Sequence, residues 1–323
     1  MKHSAPTLDN RGARNWKALF EKYAIIIAFL GLLVIISVLR PSFLAPGNLI
    51  LVLNQASING ILAVGITFVL ITAGIDISIG SVIGLSGVVS AMIVQAGLPI
   101  WLGFLAGILI GTLIGGIIGL LVTKGKLAPY IVTLGFLTVI RGVALLVSGG
   151  RPISGLSQSY GALGNSNIFG FIPSPVVVFL VVTVVSHIIL AHLQIGRHIY
   201  AVGGNPNAAE ACGINPNKVK LFVHLFCSTC AGIAGIILSS RIITGQPNAG
   251  EGYELDAIAS AVVGGTSLAG GTGGIPGTII GALIIGVIGN GLDLLGVSSY
   301  WQDIVKGAII VVAVLLDRNK KRQ

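Results

Sequence analysis

The chain has 323 residues, of which 54% are hydrophobic and only 9% charged, against roughly 25% charged in a soluble domain. Its mean hydropathy of +0.97 excludes an ordinary water-soluble globular protein, and at about 20 apolar residues per crossing ten crossings leave no room for a large soluble catalytic domain. The formal charge of +9 sits in short basic runs between apolar segments, so it reads as membrane topology rather than nucleic-acid binding.

A charged stretch up to Lys22 is followed by the apolar run Tyr23–Leu39. That run is longer than a signal-peptide core and ends in Arg40-Pro41 instead of a small-residue cleavage site, so it predicts a retained first helix. Further apolar segments follow at Leu49–Ile71, Ile77–Val94, Ile100–Val122, Tyr130–Val147, Val176–Ala191, Leu221–Ser240, Leu255–Leu268, Ile275–Leu295 and Ile304–Leu316. The expected fold is an all-α integral membrane protein of about ten transmembrane helices, some short or broken, with tails at 1–22 and 317–323 around a transmembrane domain at 23–316.

With the N-terminus inside, fourteen of the 19 basic residues fall on the cytoplasmic side. Arg40, Arg151 and Arg241 fall outside, while Arg141 and Lys306 lie within spans. Both termini are therefore expected in the cytoplasm.

Two spans are interrupted, by Ala73-Gly74-Ile75-Asp76-Ile77-Ser78-Ile79-Gly80 and by Gly264-Gly265-Thr266-Ser267-Leu268-Ala269-Gly270-Gly271. In lipid, irregular backbone survives only inside protein or along a cavity. Each interruption leads to a similar string, Gly80-Ser81-Val82-Ile83-Gly84 and Gly277-Thr278-Ile279-Ile280-Gly281, the arrangement that a duplication with paired broken helices leaves in transporters. In the fourth span Gly111, Gly115 and Gly119 recur every four residues, a groove for close helix packing. Cys227 and Cys230 lie inside an apolar segment and read as buried thiols, and Cys212 adds no second metal or redox pair.

Several polar groups stand out. Asn54, Gln55, Ser57 and Asn59 cluster in the second span, where they either meet a passing solute or bridge helices. Asp76 either caps the helix starting near Ser78 or serves the pathway or its gating; a proton relay ranks behind both, because His187 and His224 stand singly in the sequence. Glu251, Glu254 and Asp256 gather at the outer end of the eighth span, on the side of the long loop Gly149–Ser174, as a solvated rim or a docking contact. Arg141 needs a carboxylate or carbonyl partner, Lys306 has Asp303 one turn away, and Asp293 reads as another rim residue.

Between the sixth and seventh spans, in a cytoplasmic loop at about 195–218, Asn205 is a good N-cap, Pro206 suits the first helical position and Gly213 suits the left-handed C-terminal cap. A two-turn surface helix is expected, followed by a second turn signal at Asn215-Pro216-Asn217-Lys218. It is either a capped connector or a docking element. No G-x-x-x-x-G-K-[ST] phosphate loop, Ser-His-Asp set, metal-ligand spacing or dinucleotide loop occurs, so no catalytic or metal residues are assigned.

The segments Gly60–Ser81, Gly196–Asn215, Gly252–Gly271 and Gly289–Gln302 resemble the bacterial ribose-type, binding-protein-dependent monosaccharide permeases of ATP-binding-cassette importers, and the similarity runs over nearly the whole chain. The resemblance implies a multi-pass protein of the bacterial inner membrane. It would pair with a second copy of itself, receive ribose or a related monosaccharide from an extracytoplasmic sugar-binding protein, and be driven by a cytoplasmic ATP-binding subunit. The chain would bind no cofactor, ATP being held by that partner. The resemblance makes Asn205, Ala208, Ala209, Glu210, Gly213 and Ile214 candidate contacts to the ATPase. Candidates for the pathway are Asn54, Gln55, Asn59, Asp76 and Ser78, and for binding-protein docking Glu251, Glu254 and Asp256. The alternative is an ion-coupled secondary transporter of a small polar solute, centred on Asp76 and the broken spans.

Overall fold

Proline at the first or second helical position opens six of the helices, where its missing N–H removes no intrahelical bond. The computed structural model describes residues 11–168 and 170–320, with side chains from Ile25 to Leu315; the basic groups of both expected tails lie outside those side chains. Among these residues the helices are α1 (Arg11–Leu39), α2 (Pro46–Ile71), α3 (Ile79–Gln95), α4 (Ile100–Thr123), α5 (Pro129–Ser148), α6 (Ala162–Asn165), α7 (Ser174–Ala191), α8 (Gln194–Gly204), α9 (Pro206–Ala211), α10 (Pro216–Ile242), α11 (Tyr253–Val263), α12 (Ile275–Leu294) and α13 (Ser299–Lys320). Two short 3-10 turns and a two-residue hairpin complete them.

Each of the ten apolar segments falls on a helix. Six helices, α2, α4, α5, α7, α10 and α12, are long and apolar enough to cross a membrane, with shorter apolar stretches at Ile25–Leu39 and Ile79–Gln95. The eighth expected span is corrected: α11 has 11 residues, about 16 Å of helix, and gives way to an irregular stretch. Gly265, Gly270 and Gly271 adopt φ of +92°, +81° and +75° there, the left-handed region that glycine enters at little cost. The other interruption leaves helical geometry at Ala73 (φ +58°) and resumes it at Ile79.

At the centre stands α2, buried at every residue from Ala56 to Ile71, as a helix apolar all round requires. Around it pack α7, α10, α11 and α12, while α3 and α4 lie against α10 and α5 lies against α3. The expected glycine groove is the seam between α4 and α10. A Cβ on Gly111 would lie 2.7 Å from the Ser228 carbonyl oxygen, one on Gly115 2.7 Å from Ser228 Cβ, and one on Gly119 3.1 Å from Leu221 Cα. The seam extends to Gly103 and Gly107, whose added Cβ atoms would meet the Ser90 and Ser86 carbonyls at 2.8 and 2.9 Å.

The stretch Gly149–Ser174 folds onto the bundle. Tyr160 is fully buried, its hydroxyl within 3.0 Å of Ser90 Oγ and 2.8 Å of Ser239 Oγ. Ile153 pairs with Gly245 through the backbone, and the Gly164 N–H donates to Ser240 Oγ. This loop therefore clamps one end of α3 and α10, the end opposite the turn where α2 finishes.

Candidate coupling site at the helix breaks

The expected surface helix forms as α9. Asn205 Oδ1 accepts the N–H groups of Asn207 and Ala208 at 3.0 and 3.1 Å, satisfying two donors that a helix start leaves free. At the other end Gly213 has φ +83°, its N–H bonds the Glu210 carbonyl at 2.9 Å, and the Ile214 N–H bonds the Ala209 carbonyl at 3.0 Å. This pairing is a Schellman cap. Asn205, Ala208, Glu210 and Gly213 are exposed, whereas Ala209 is 4% exposed and Ile214 packs on the same core. Ala209 is thus corrected from an outward contact to an internal one. The second turn signal is the cap of α10: Asn215 Oδ1 accepts from Asn217 and Lys218 at 3.0 and 3.1 Å.

Immediately before α9 lies α8, a helix within the stretch expected as loop. Ile195, Ile199 and Val202 recur at helical spacing, and the latter two are completely buried. That period was the available signal. A single residue separates the two helices, since Asn205 ends α8 through its N–H to the Ala201 carbonyl at 3.1 Å and caps α9.

Through α8 the surface helix meets both interruptions. The Gly271 N–H donates to the Ile71 carbonyl at 2.8 Å, joining the turn after α11 to the end of α2. Gly203 sits against this link: a Cβ there would lie 2.7 Å from Gly271 N. A Cβ on Gly270 would lie 2.8 Å from the Gly203 oxygen and 2.9 Å from Ala73 Cβ. The Tyr200 hydroxyl donates to the Gly273 carbonyl at 2.9 Å; partial burial raises the phenol's pKa above the ordinary tyrosine value, so it remains a donor.

Further along the first break, Asp76 is fully buried. Its Oδ1 accepts the Ser78 N–H at 3.0 Å and the Ser78 hydroxyl at 2.6 Å. The expected capping role is corrected: Ser78 is the N-cap of α3, which has no side-chain cap bond, and Asp76 instead holds that N-cap residue from two positions upstream. Asp76 Oδ2 lies 3.2 Å from His224 Nδ1 of α10, 2% exposed. His224 is thereby corrected from a solitary histidine to the partner of the buried carboxylate. Thr133 of α5 adds a hydrogen bond to the Ile75 carbonyl at 3.3 Å.

The polar cluster of α2 divides. Asn59 Nδ2 donates to Ser260 Oγ of α11 at 3.1 Å, so this residue bridges helices, while Ser57 returns its hydroxyl to the Leu53 carbonyl. The Oδ1 atoms of Asn54 and Asn59 are buried without a hydrogen-bond partner, acceptors that a hydroxylated solute or water would satisfy. Gln55 is partly buried on the same helix.

The acidic trio divides: Glu251 is exposed, whereas Glu254 and Asp256 are half-buried. Arg141 of α5 donates to the Pro247 and Ala249 carbonyls; it stands seven residues before the end of α5, about 10 Å inside it. Asp256 pairs with Lys306 of α13 at 2.9 Å, which corrects the expected partner Asp303. These groups border a cleft of about 620 Å³ lined by Glu251, Tyr253, Glu254, Asp256, Asp303 and Lys306. Asp293 accepts from Gln302 Nε2 at 2.7 Å.

Both matching strings meet neighbouring backbone: a Cβ on Gly84, the sixth residue of α3, would lie 2.6 Å from the Pro247 oxygen before α11, and one on Gly281, the seventh residue of α12, would lie 3.0 Å from Gly264 N at the end of α11.

A helical membrane bundle with two interrupted helices tied to one capped surface helix is the architecture of a transport permease. Residues 48–314 match the family described as branched-chain amino acid transport system / permease component. The chain belongs to this family and is a multi-pass membrane permease component. It is 49% identical over 297 residues to the ribose import permease protein RbsC of Bacillus subtilis (strain 168), covering 90% of this chain and 92% of that protein. It is 44% identical over 313 residues to RbsC of Escherichia coli (strain K12), covering 94% and 96%. The L-arabinose transport system permease protein AraH of Escherichia coli (strain K12) is 34% identical over 304 residues, covering 94% and 92%. No solved structure matches the chain.

Proposed function

We propose that the chain is the membrane-spanning subunit of an ATP-binding-cassette importer and carries ribose delivered by an extracytoplasmic binding protein. Identity of 44–49% to ribose import permeases over nine-tenths of the chain or more is the observation that carries this reading. Two copies enclose the pathway, both termini and α9 face the cytoplasm, and a separate ATPase subunit hydrolyses ATP. The exposed face of α9 is the docking surface for that subunit. Its closure displaces α9 and, through α8, the helix breaks. Asn54, Gln55 and Asn59 face the passing sugar, and Asp76 with Ser78 holds the break from which α3 starts.

The test is uptake of labelled ribose into proteoliposomes holding this chain with its ATPase, binding protein added outside and ATP inside. Uptake that needs all three components and ATP is expected. The buried Asp76–His224 contact favours one rival, an ion-coupled carrier; uptake by the chain alone under a proton or sodium gradient would establish that reading instead.

A further inference from the structure

We propose that Tyr200 and Gly203 of α8 are positioning residues that fasten the surface helix to both helix breaks, so that one displacement of α9 reaches the starts of α3 and α12 together. The proposal rests on the importer reading above and deepens it.

Four observations converge on these two side-chain positions. First, α8 and α9 share Asn205 as C-cap and N-cap, so no flexible linker absorbs a push on α9. Second, Gly203 brings backbone against backbone. An added Cβ would strike the Ile71 carbonyl and lie 2.7 Å from Gly271 N, so α8 cannot slide past the Ile71–Gly271 link without lifting away. Third, the Tyr200 hydroxyl reaches the Gly273 carbonyl at 2.9 Å, two residues before α12 begins at Ile275. Fourth, the other side of the junction is the end of α2, and the chain from there resumes helix at Ile79 as α3.

The mechanical consequence follows from the chemistry of the contacts. Side chains packed on side chains reshuffle rotamers under load, whereas a glycine seat and a hydrogen bond to a backbone carbonyl have few alternative arrangements. Movement of α8 is therefore passed to the turn 270–273 and to Ile71–Ala73 as one body. The two matching strings at Gly80–Gly84 and Gly277–Gly281 are the elements that receive it.

The experiment uses the complete complex in proteoliposomes and reads ribose transported per ATP hydrolysed. Tyr200→Phe removes only the hydroxyl. The ratio is expected to fall about fivefold, the factor corresponding to a typical net hydrogen bond, while the amount of assembled complex and basal hydrolysis stay unchanged. Gly203→Ala forces the seat apart and is expected to lower the ratio further, with the ATPase still co-purifying. Thr112→Val deletes a different interhelical contact, the Thr112–Thr229 hydroxyl pair at 2.9 Å between α4 and α10; it is expected to lower thermal stability without moving the ratio. An unchanged ratio in Tyr200→Phe, or an equal fall in Thr112→Val, overturns the proposal. Failure of the unsubstituted complex to show ATP-dependent uptake overturns the importer reading instead, and the two failures are thus distinguishable.

Discussion

Removing one partner of the Asp76–His224 contact is the sharpest stability test of the first helix break. His224→Phe leaves the carboxylate with the Ser78 N–H at 3.0 Å and the Ser78 hydroxyl at 2.6 Å, but takes away the group 3.2 Å from Oδ2. A buried hydrogen bond of this kind contributes up to about 3 kcal/mol. For 323 residues, an unfolding entropy of about 2.1 cal/mol/K per residue converts this to a fall in thermal midpoint of about 4 °C. A bundle that keeps its helices on unfolding has a smaller entropy, so the same loss moves the midpoint further. The assay is a thermal scan of the purified chain in detergent for His224→Phe, Asp76→Ala and the double variant. Because the second substitution removes a group already deprived of its partner, the double variant should recover at least about 1.5 kcal/mol relative to the sum of the singles. Losses that simply add would show that the contact contributes nothing and would refute the argument.

Three further outcomes follow from the geometry. Gly213→Ala places a side chain at φ +83° in otherwise open space, so it should cost about 1–2 kcal/mol of cap stability from backbone strain alone and lower transport per ATP while insertion is retained; Gly213→Val should act more strongly in the same assay. Asn54→Ala removes a buried acceptor without a partner and should leave the stability within about 0.5 kcal/mol of the unsubstituted chain in a thermal scan while slowing labelled-ribose uptake, whereas Asn59→Ala also breaks the bond to Ser260 and should lower both. Lys306→Met leaves Asp256 without its 2.9 Å partner; a thermal scan should record a larger loss than for Asp303→Asn, since Asp303 does not hold the lysine.

The sequence reveals the membrane helices because each is a long apolar run, and it reveals α9 because Asn205, Pro206 and Gly213 act through bonds within a few residues. What it hides is set by distance along the chain. His224 meets Asp76 across 148 positions, and Lys306 meets Asp256 across 50 instead of bonding its neighbour one turn away. The acidic trio reads as a rim because a run of carboxylates beside glycine resembles a loop; only the fold brings Lys306 to Asp256. α8 was legible in the period of Ile195, Ile199 and Val202, but the surrounding glycines and polar residues disguised it. Ala209 looked like its neighbour Ala208 because composition does not say which side of a two-turn helix faces inward.

The glycine seam of α4 has one more consequence. Five glycines spaced every four residues, from Gly103 to Gly119, hold α4 so near α3 and α10 that an added Cβ at any of them would crowd the main chain or the inner side-chain atoms of those helices. Turning α4 by a single residue, about 100°, would replace these glycines with Leu102, Ala106, Ile110, Ile114 and Ile118 in one direction, or with Phe104, Ile108, Thr112, Gly116 and Leu120 in the other. The glycines thus act as a register lock: they fix which face of α4 meets α3 and α10 and leave the pair no neighbouring register of equal fit.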